Sequence, residues 1–152
     1  MVSRFQIGNT APRLRGSLRA AVTKTRRAFG VRANYGSSSR YSPAEDATLS
    51  LHVRDGRQLR SVLDGLLVHS VRGGTNDDCT STSSSLDRTI NVAPTGSDGF
   101  ADLAVTSRVS DTSDGNVDGD CTSIEHESKA TRTTLRYDGS KYVIPEELNQ
   151  FH

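Results

Sequence analysis

From Leu49 the apolar residues of this chain fall on every second position, Leu49, Leu51 and Val53 alternating with Thr48, Ser50 and His52. A period of two is that of a strand with one buried face, because successive side chains of an extended backbone point to opposite sides. The same texture returns in short segments down the chain. Arg54-Asp55-Gly56-Arg57 supplies a turn, and residues 59 to 71 resume with Leu59, Val62, Leu63, Leu66, Leu67, Val68 and Val71. This second run reads as a strand broken at Asp64-Gly65, or as a short helix over 57 to 64 ahead of a strand. Further strands are predicted at 86 to 93 around Leu86, Ile90 and Val92, at 100 to 109, at 131 to 137 and at 141 to 144. Asp138-Gly139 marks a hairpin between the last two. Thr75 to Ser85, T-N-D-D-C-T-S-T-S-S-S, is too polar to pack and is predicted as a surface loop. The fold class that follows is all-β: a single small antiparallel β-meander forming a sandwich or open barrel.

Charge divides the chain unevenly. Residues 1 to 43 hold nine Lys and Arg and no Asp or Glu, whereas residues 44 to 152 hold ten basic and eighteen acidic residues. A basic N-terminal arm and linker over 1–43, helical or disordered, therefore precedes a β-rich domain over 44–148. Leu14, Leu18, Ala21, Val22 and Phe29 recur at helical spacing among arginines, which predicts a basic amphipathic helix from Pro12 to Phe29. Residues 34 to 43 have linker composition. An apolar share of 33% with no Trp implies that part of the chain stays unpacked. The arginine-rich, acid-free leader resembles a mitochondrial transit peptide. No apolar run approaches the roughly 20 residues that span a bilayer, and no secretory signal is visible in residues 1 to 30.

Asp111 to Glu125, D-T-S-D-G-N-V-D-G-D-C-T-S-I-E, carries oxygen ligands at spacings that a hard divalent cation requires. Counting from Asp114, the side chains of Asp114, Asn116 and Asp118 stand at the first, third and fifth positions, Gly119 at the sixth and Glu125 at the twelfth. Asp120 supplies a carbonyl at the seventh and Thr122 a hydroxyl at the ninth. The stretch resembles an EF-hand loop, which implies a calcium site formed by these residues. It departs from that family in Cys121 at the eighth position and in the strand-like alternation of residues 100 to 109. Just upstream, Asp98-Gly99-Phe100-Ala101-Asp102-Leu103-Ala104-Val105 looks like the second half of an FG-GAP repeat of integrin-type propellers. Pro94-Thr95-Gly96-Ser97 stands where that family carries its ion loop. The overall texture is similar to uncharacterised secreted bacterial β-rich proteins.

Cys79 and Cys121 each lie beside aspartates, which disfavour a thiolate, so neither reads as an activated nucleophile. Two are too few for a tetrahedral zinc site unless histidines join. A Cys79–Cys121 disulfide, which would favour a periplasmic or secreted location, and two reduced structural thiols are the readings left. The chain holds no G-x-S-x-G, H-E-x-x-H, phosphate-binding G-x-x-x-x-G-K or C-x-x-C motif. The expected function is a non-enzymatic, extracytoplasmic binding or structural module that meets an unknown protein or surface ligand. Two rivals stand beside it: nucleic acid or anionic lipid bound through residues 4–32, and a hydrolase pairing acids among Asp77, Asp78, Asp102 and Asp118.

Overall fold

Among the described residues the chain forms eight strands, three pairs of them joined by connections of two residues. The structure, a computed structural model, describes residues 13–21, 27–37, 39, 41–76 and 79–149. The strands are β1 (Arg13–Ala21), β2 (Arg27–Ser37), β3 (Ala44–Asp55), β4 (Gln58–Asn76), β5 (Thr80–Ser97), β6 (Phe100–Val117), β7 (Asp120–Glu127) and β8 (Thr131–Leu135), followed by a 3₁₀ turn at Glu146–Leu148. They form one open antiparallel sheet in chain order from β1 to β7. β8 returns to pair with the first half of β6, beyond the stretch of β6 that pairs with β7. The all-β antiparallel meander expected from the residue pattern is the architecture found.

Turn chemistry sets the register. Asp98-Gly99 joins β5 to β6 and Asp118-Gly119 joins β6 to β7, with φ of 48° and 81° in the first pair and 54° and 92° in the second. Positive φ at both central residues is the I′ turn, whose twist matches that of the flanking strands and which Asp-Gly adopts readily. Asp64-Gly65 instead makes a bulge within β4, with Gly65 at φ 67°. Ser50 of β3 accommodates it: the Ser50 hydroxyl donates to Asp64 at 3.2 Å and accepts from the Gly65 amide at 3.0 Å. The bulge resets the alternation between Leu63 and Leu66, and a second register shift, between Leu51 and His52, skips Val62, so that Val62, Leu63, Leu66 and Val68 are all buried.

The sheet has two regions of different character. β4 and β5 pair only from His69↔Asp87 to Asn76↔Thr80. Where they part, the apolar side chains of β3 and β4 meet those of β6 and β8 in one cluster, with Leu51, Val53, Leu63 and Leu66 from the former and Leu103, Val105 and Leu135 from the latter. Phe100, Tyr137 and Tyr142 close one side, Phe100 stacked on Tyr137 at 4.1 Å between ring centroids. The C-terminal segment covers the β4 edge left open by the parting, the Tyr142 amide donating to the Val62 carbonyl at 2.7 Å. Beyond the parting, the paired ends of β4 to β7 carry mostly Ser, Thr, Asp and Gly, and all eight residues of β7 are exposed.

Several expectations need correction. The amphipathic helix over 12 to 29 is absent from the described residues there, which lie in β1 and β2. Pairing of β2 with β3 along Ala28↔Val53 to Ser37↔Ala44 outweighs a weak helical periodicity interrupted by Gly16. Ala28 belongs to the core; of the segment 34–43 read as a linker, Asn34–Ser37 pair with β3 as strand, and β3 begins at Ala44 after the connection. Of the polar tract 75–85, expected as a loop, Thr75, Asn76 and Thr80–Ser85 are strand. The alternative helix over 57 to 64 is also strand from Gln58 onward. At the C-terminus the second strand of the Asp138-Gly139 hairpin reduces to a single bridge, Tyr137↔Tyr142.

Candidate functional site: an acidic hairpin and a cysteine pair

The β6–β7 hairpin is built from the stretch with calcium-loop spacing. Asp114 pairs with Ser123, Asn116 with Cys121 and Val117 with Asp120, around the Asp118-Gly119 turn. Asn116 Oδ1 accepts the Gly119 amide at 3.0 Å and so braces the turn. Strand alternation puts Asp114, Asn116 and Glu125 on one face and Asp120 and Thr122 on the other, with Asp118 in the turn. An EF-hand loop wraps its ligands around one point between two helices; here strands stand on both sides and the six donors are distributed along them. Among the described residues, no three of His, Cys, Asp and Glu gather as a metal ion would need.

These carboxylates take hydroxyl partners from neighbouring strands. Ser81 of β5 donates to Asp114, and Ser123 of β7 donates to it from the other side. The Ser81 contact, then the Ser123 contact, lowers the Asp114 pKa from the usual carboxylate value, because hydrogen bonds to the charged form favour it. Ser84 donates to Asp111 at 2.5 Å and Ser110 to Glu125 at 2.9 Å. The same device recurs nearer the core, Ser70 donating to Asp46 at 2.6 Å and Ser97 to buried Asp102 at 2.7 Å. A thin sheet without apolar filling thus satisfies its polar groups through cross-strand serine–carboxylate pairs, each also a lateral tie between strands.

Cys79 closes the β4–β5 connection with φ 57°, and Cys121 follows the β6–β7 turn. The two stand at disulfide distance, Cα to Cα 5.8 Å, inside the 4.4–6.8 Å range usual for a bridge. The pair therefore brings the tips of two hairpins together.

Of the acids of the hydrolase reading, the two that are described, Asp102 and Asp118, do not converge. Asp77 and Asp78 lie outside the described residues. Asp102 and Asp118 are separated by nearly the whole of β6, about 50 Å of extended chain. Asp102 is held low first by Ser97, then by Thr95. The residues carrying the FG-GAP resemblance form the β5–β6 turn and the start of β6. Of segment 4–32, only the parts in β1 and β2 are described, and these lie at one end of the sheet.

One contact escaped the linear reading. His69 Nδ1 lies 2.8 Å from Asp87 Oδ1 across β4 and β5. Asp87 also borders a shallow polar cleft of about 380 Å³ with Arg108, Ser110 and Glu127. Residues 18 positions apart meet only through the hairpin register, and the hairpin was expected as a loop. His52, by contrast, rests against Phe29 with ring centroids 5.5 Å apart.

No protein-family model, curated protein or solved structure matches this chain. Among the described residues, no helix is long and apolar enough to cross a membrane.

Proposed function

We propose that this protein is a non-enzymatic binding or structural β module that works outside the cytoplasm, with Cys79 and Cys121 bonded to each other. The observation that carries the reading is the cysteine pair itself, 5.8 Å apart at Cα on the tips of two hairpins. The hairpin ends lie beyond the apolar cluster and are otherwise held by strand pairing and cross-strand serine–carboxylate bonds. A covalent tie at that point suits a module that must stay rigid in an oxidising compartment. The surface it would keep in shape is the Ser-, Thr- and Asp-rich face of β5 to β7, a polar platform for a protein or surface ligand.

Thiol labelling of unreduced, unfolded protein from the native host, combined with cell fractionation, tests the proposal. The expected result is no labelled cysteine in an extracytoplasmic fraction. Two labelled thiols, or a cytosolic location, would overturn it.

A further inference from the structure

The two ends of the strand order carry opposite charge. Residues 13 to 37, which include β1 and β2, hold seven Lys and Arg and no Asp or Glu; residues 110 to 127, the β6–β7 hairpin, hold six Asp and Glu and no Lys or Arg. β1 and β7 are the terminal members of the path, and among the described strands each pairs on one side only. An unpaired sheet edge presents a row of amide and carbonyl groups that invites another strand, and natural edges are commonly blocked by Lys, Pro or a bulge. β7 has no Lys or Pro, and its register with β6 runs unbroken from Ser110↔Glu127 to Val117↔Asp120. Ile124, in the middle of this otherwise polar strand, is 52% exposed. What guards the edge is charge alone, in Asp120, Glu125 and Glu127.

Charge of one sign repels its own kind and attracts the other. A second β7 is rejected by β7, and a second β1 by β1, whereas β7 of one copy and β1 of another are complementary. We infer that copies of this chain associate head to tail, the acidic edge β7 of one pairing with the basic edge β1 of the next. Every neighbouring pair along the path is antiparallel, so β1 and β7, six steps apart, run in the same direction. Copies related by simple repetition therefore join through a parallel strand pair. Such an interface is heterologous, and it leaves one acidic and one basic edge free for further copies. Nucleic acid on the basic strands would use only half of this pattern, leaving the acidic edge and Ile124 uncovered.

Sedimentation velocity on the full chain, over a concentration range at low and high ionic strength, tests the inference. Association is expected to grow with concentration and to weaken about tenfold or more when salt rises from about 20 to 500 mM, as screening between exposed charges requires. E125K/E127K makes both edges basic, and R15E/R19E makes β1 acidic. Each variant alone is expected to stay monomeric, and an equal mixture to associate again. A wild type that is monomeric at low salt overturns the inference, whether or not the variants fold. So does a monomer that instead binds duplex DNA with a steep salt slope, which would assign the basic strands to nucleic acid. Association that strengthens with salt, or that disappears on reduction, also overturns it. Free thiols in the native protein would defeat the proposed function and leave this inference standing.

Discussion

Arg88 of β5 donates from Nη1 to the backbone carbonyl of Leu148, 60 residues further along the chain, at 2.5 Å. The same nitrogen reaches the Leu67 carbonyl of β4 at 2.9 Å, and Nε reaches the Ser107 hydroxyl at 3.1 Å. This guanidinium sits where β4 and β5 part, satisfying a carbonyl that sheet pairing has abandoned and tying down the C-terminal turn. Burial pulls its pKa down from the usual value, and the side chain remains a cation with every donor available.

Arg88→Met keeps the apolar stem and removes the donors. The carbonyls of Leu67 and Leu148 then lose their partner, which costs roughly 1–3 kcal/mol. Urea denaturation should show that loss, and limited proteolysis should cut first near the C-terminal turn. An unchanged midpoint would mean that the parting of the sheet is held by apolar contacts alone.

Tyr142 is buried and donates its hydroxyl to the Ala101 carbonyl at 2.6 Å. Burial first, then the negative charge of Asp102, pushes its pKa up to about 12 from the ordinary 10. The folded state thus resists ionisation more than the unfolded chain does. Its contribution is complete below about pH 10 and fades as pH rises towards 12, by something on the order of 2 kcal/mol. Tyr142→Phe should cost about 1 kcal/mol at neutral pH and remove this alkaline decline. Denaturation of both proteins at about pH 9 and 11.5 measures it.

Asp46 makes a two-pronged pair with Arg72, both contacts at 2.8 Å, and accepts from Ser70. Arg72 first, and Ser70 after it, holds this carboxyl below the usual value of 3.8. A depressed folded pKa gives stability that is present above about pH 3.8 and lost as pH falls through the lower, folded value. Asp102, Asp114 and Asp138 are shifted the same way. The melting temperature should therefore drop steeply below about pH 4, and Asp46→Asn should shallow that drop. A variant with the same acid profile as the wild type would remove Asp46 from the account.

How much of this was legible in the residues depends on what held each element together. β3 and the start of β6 declare themselves because one face is apolar and the other polar, as in Leu49, Leu51 and Val53. The ends of β4 to β7 carry no such signal: Ser81, Ser84, Asp111 and Asp114 satisfy one another across strands, and a hydroxyl–carboxylate ladder has the composition of a loop. Asp118-Gly119 is a strong hairpin signal, but carboxylates at alternate positions suit both a calcium loop and one face of a strand. The polar surroundings of Cys79 and Cys121 leave a disulfide and two reduced thiols as alternatives, and the fold adds that the two stand at disulfide distance. Arg88 was not anticipated, since its partners lie in β4, β6 and the C-terminal turn and meet only in the folded chain.

If Cys79 and Cys121 are bonded, the bridge closes a loop with a sequence separation of 42. Loop-closure entropy in the unfolded chain values such a loop at roughly 4 kcal/mol. Cys79→Ser/Cys121→Ser, or reduction, should lower stability by an amount of that order. The loss of amide protection should be greatest in the tips of the β4–β5 and β6–β7 hairpins and least around Leu63 and Val105. Equal stability of reduced and unreduced protein would show that the serine–carboxylate ties suffice.

The final prediction separates the two meanings of the acidic stretch. As a hairpin, it depends on Gly119 at φ 92°, a conformation in which a Cβ is strained, so Gly119→Ala should destabilise by about 1–2 kcal/mol. Asp118→Asn keeps a residue that tolerates positive φ and should be close to neutral. As a calcium loop, the same residues would add roughly 2.7 kcal/mol of stability at 100 times the dissociation constant, and Asp118→Asn would weaken that gain. With Asp114 held between Ser81 and Ser123, and with Asp120 and Thr122 on the opposite face, the hairpin should melt at the same temperature in millimolar calcium and in chelator. Calorimetry on the wild type and the two variants decides it. A calcium-dependent rise in melting temperature that Asp118→Asn diminishes would restore the metal site and require the hairpin to rearrange around the ion.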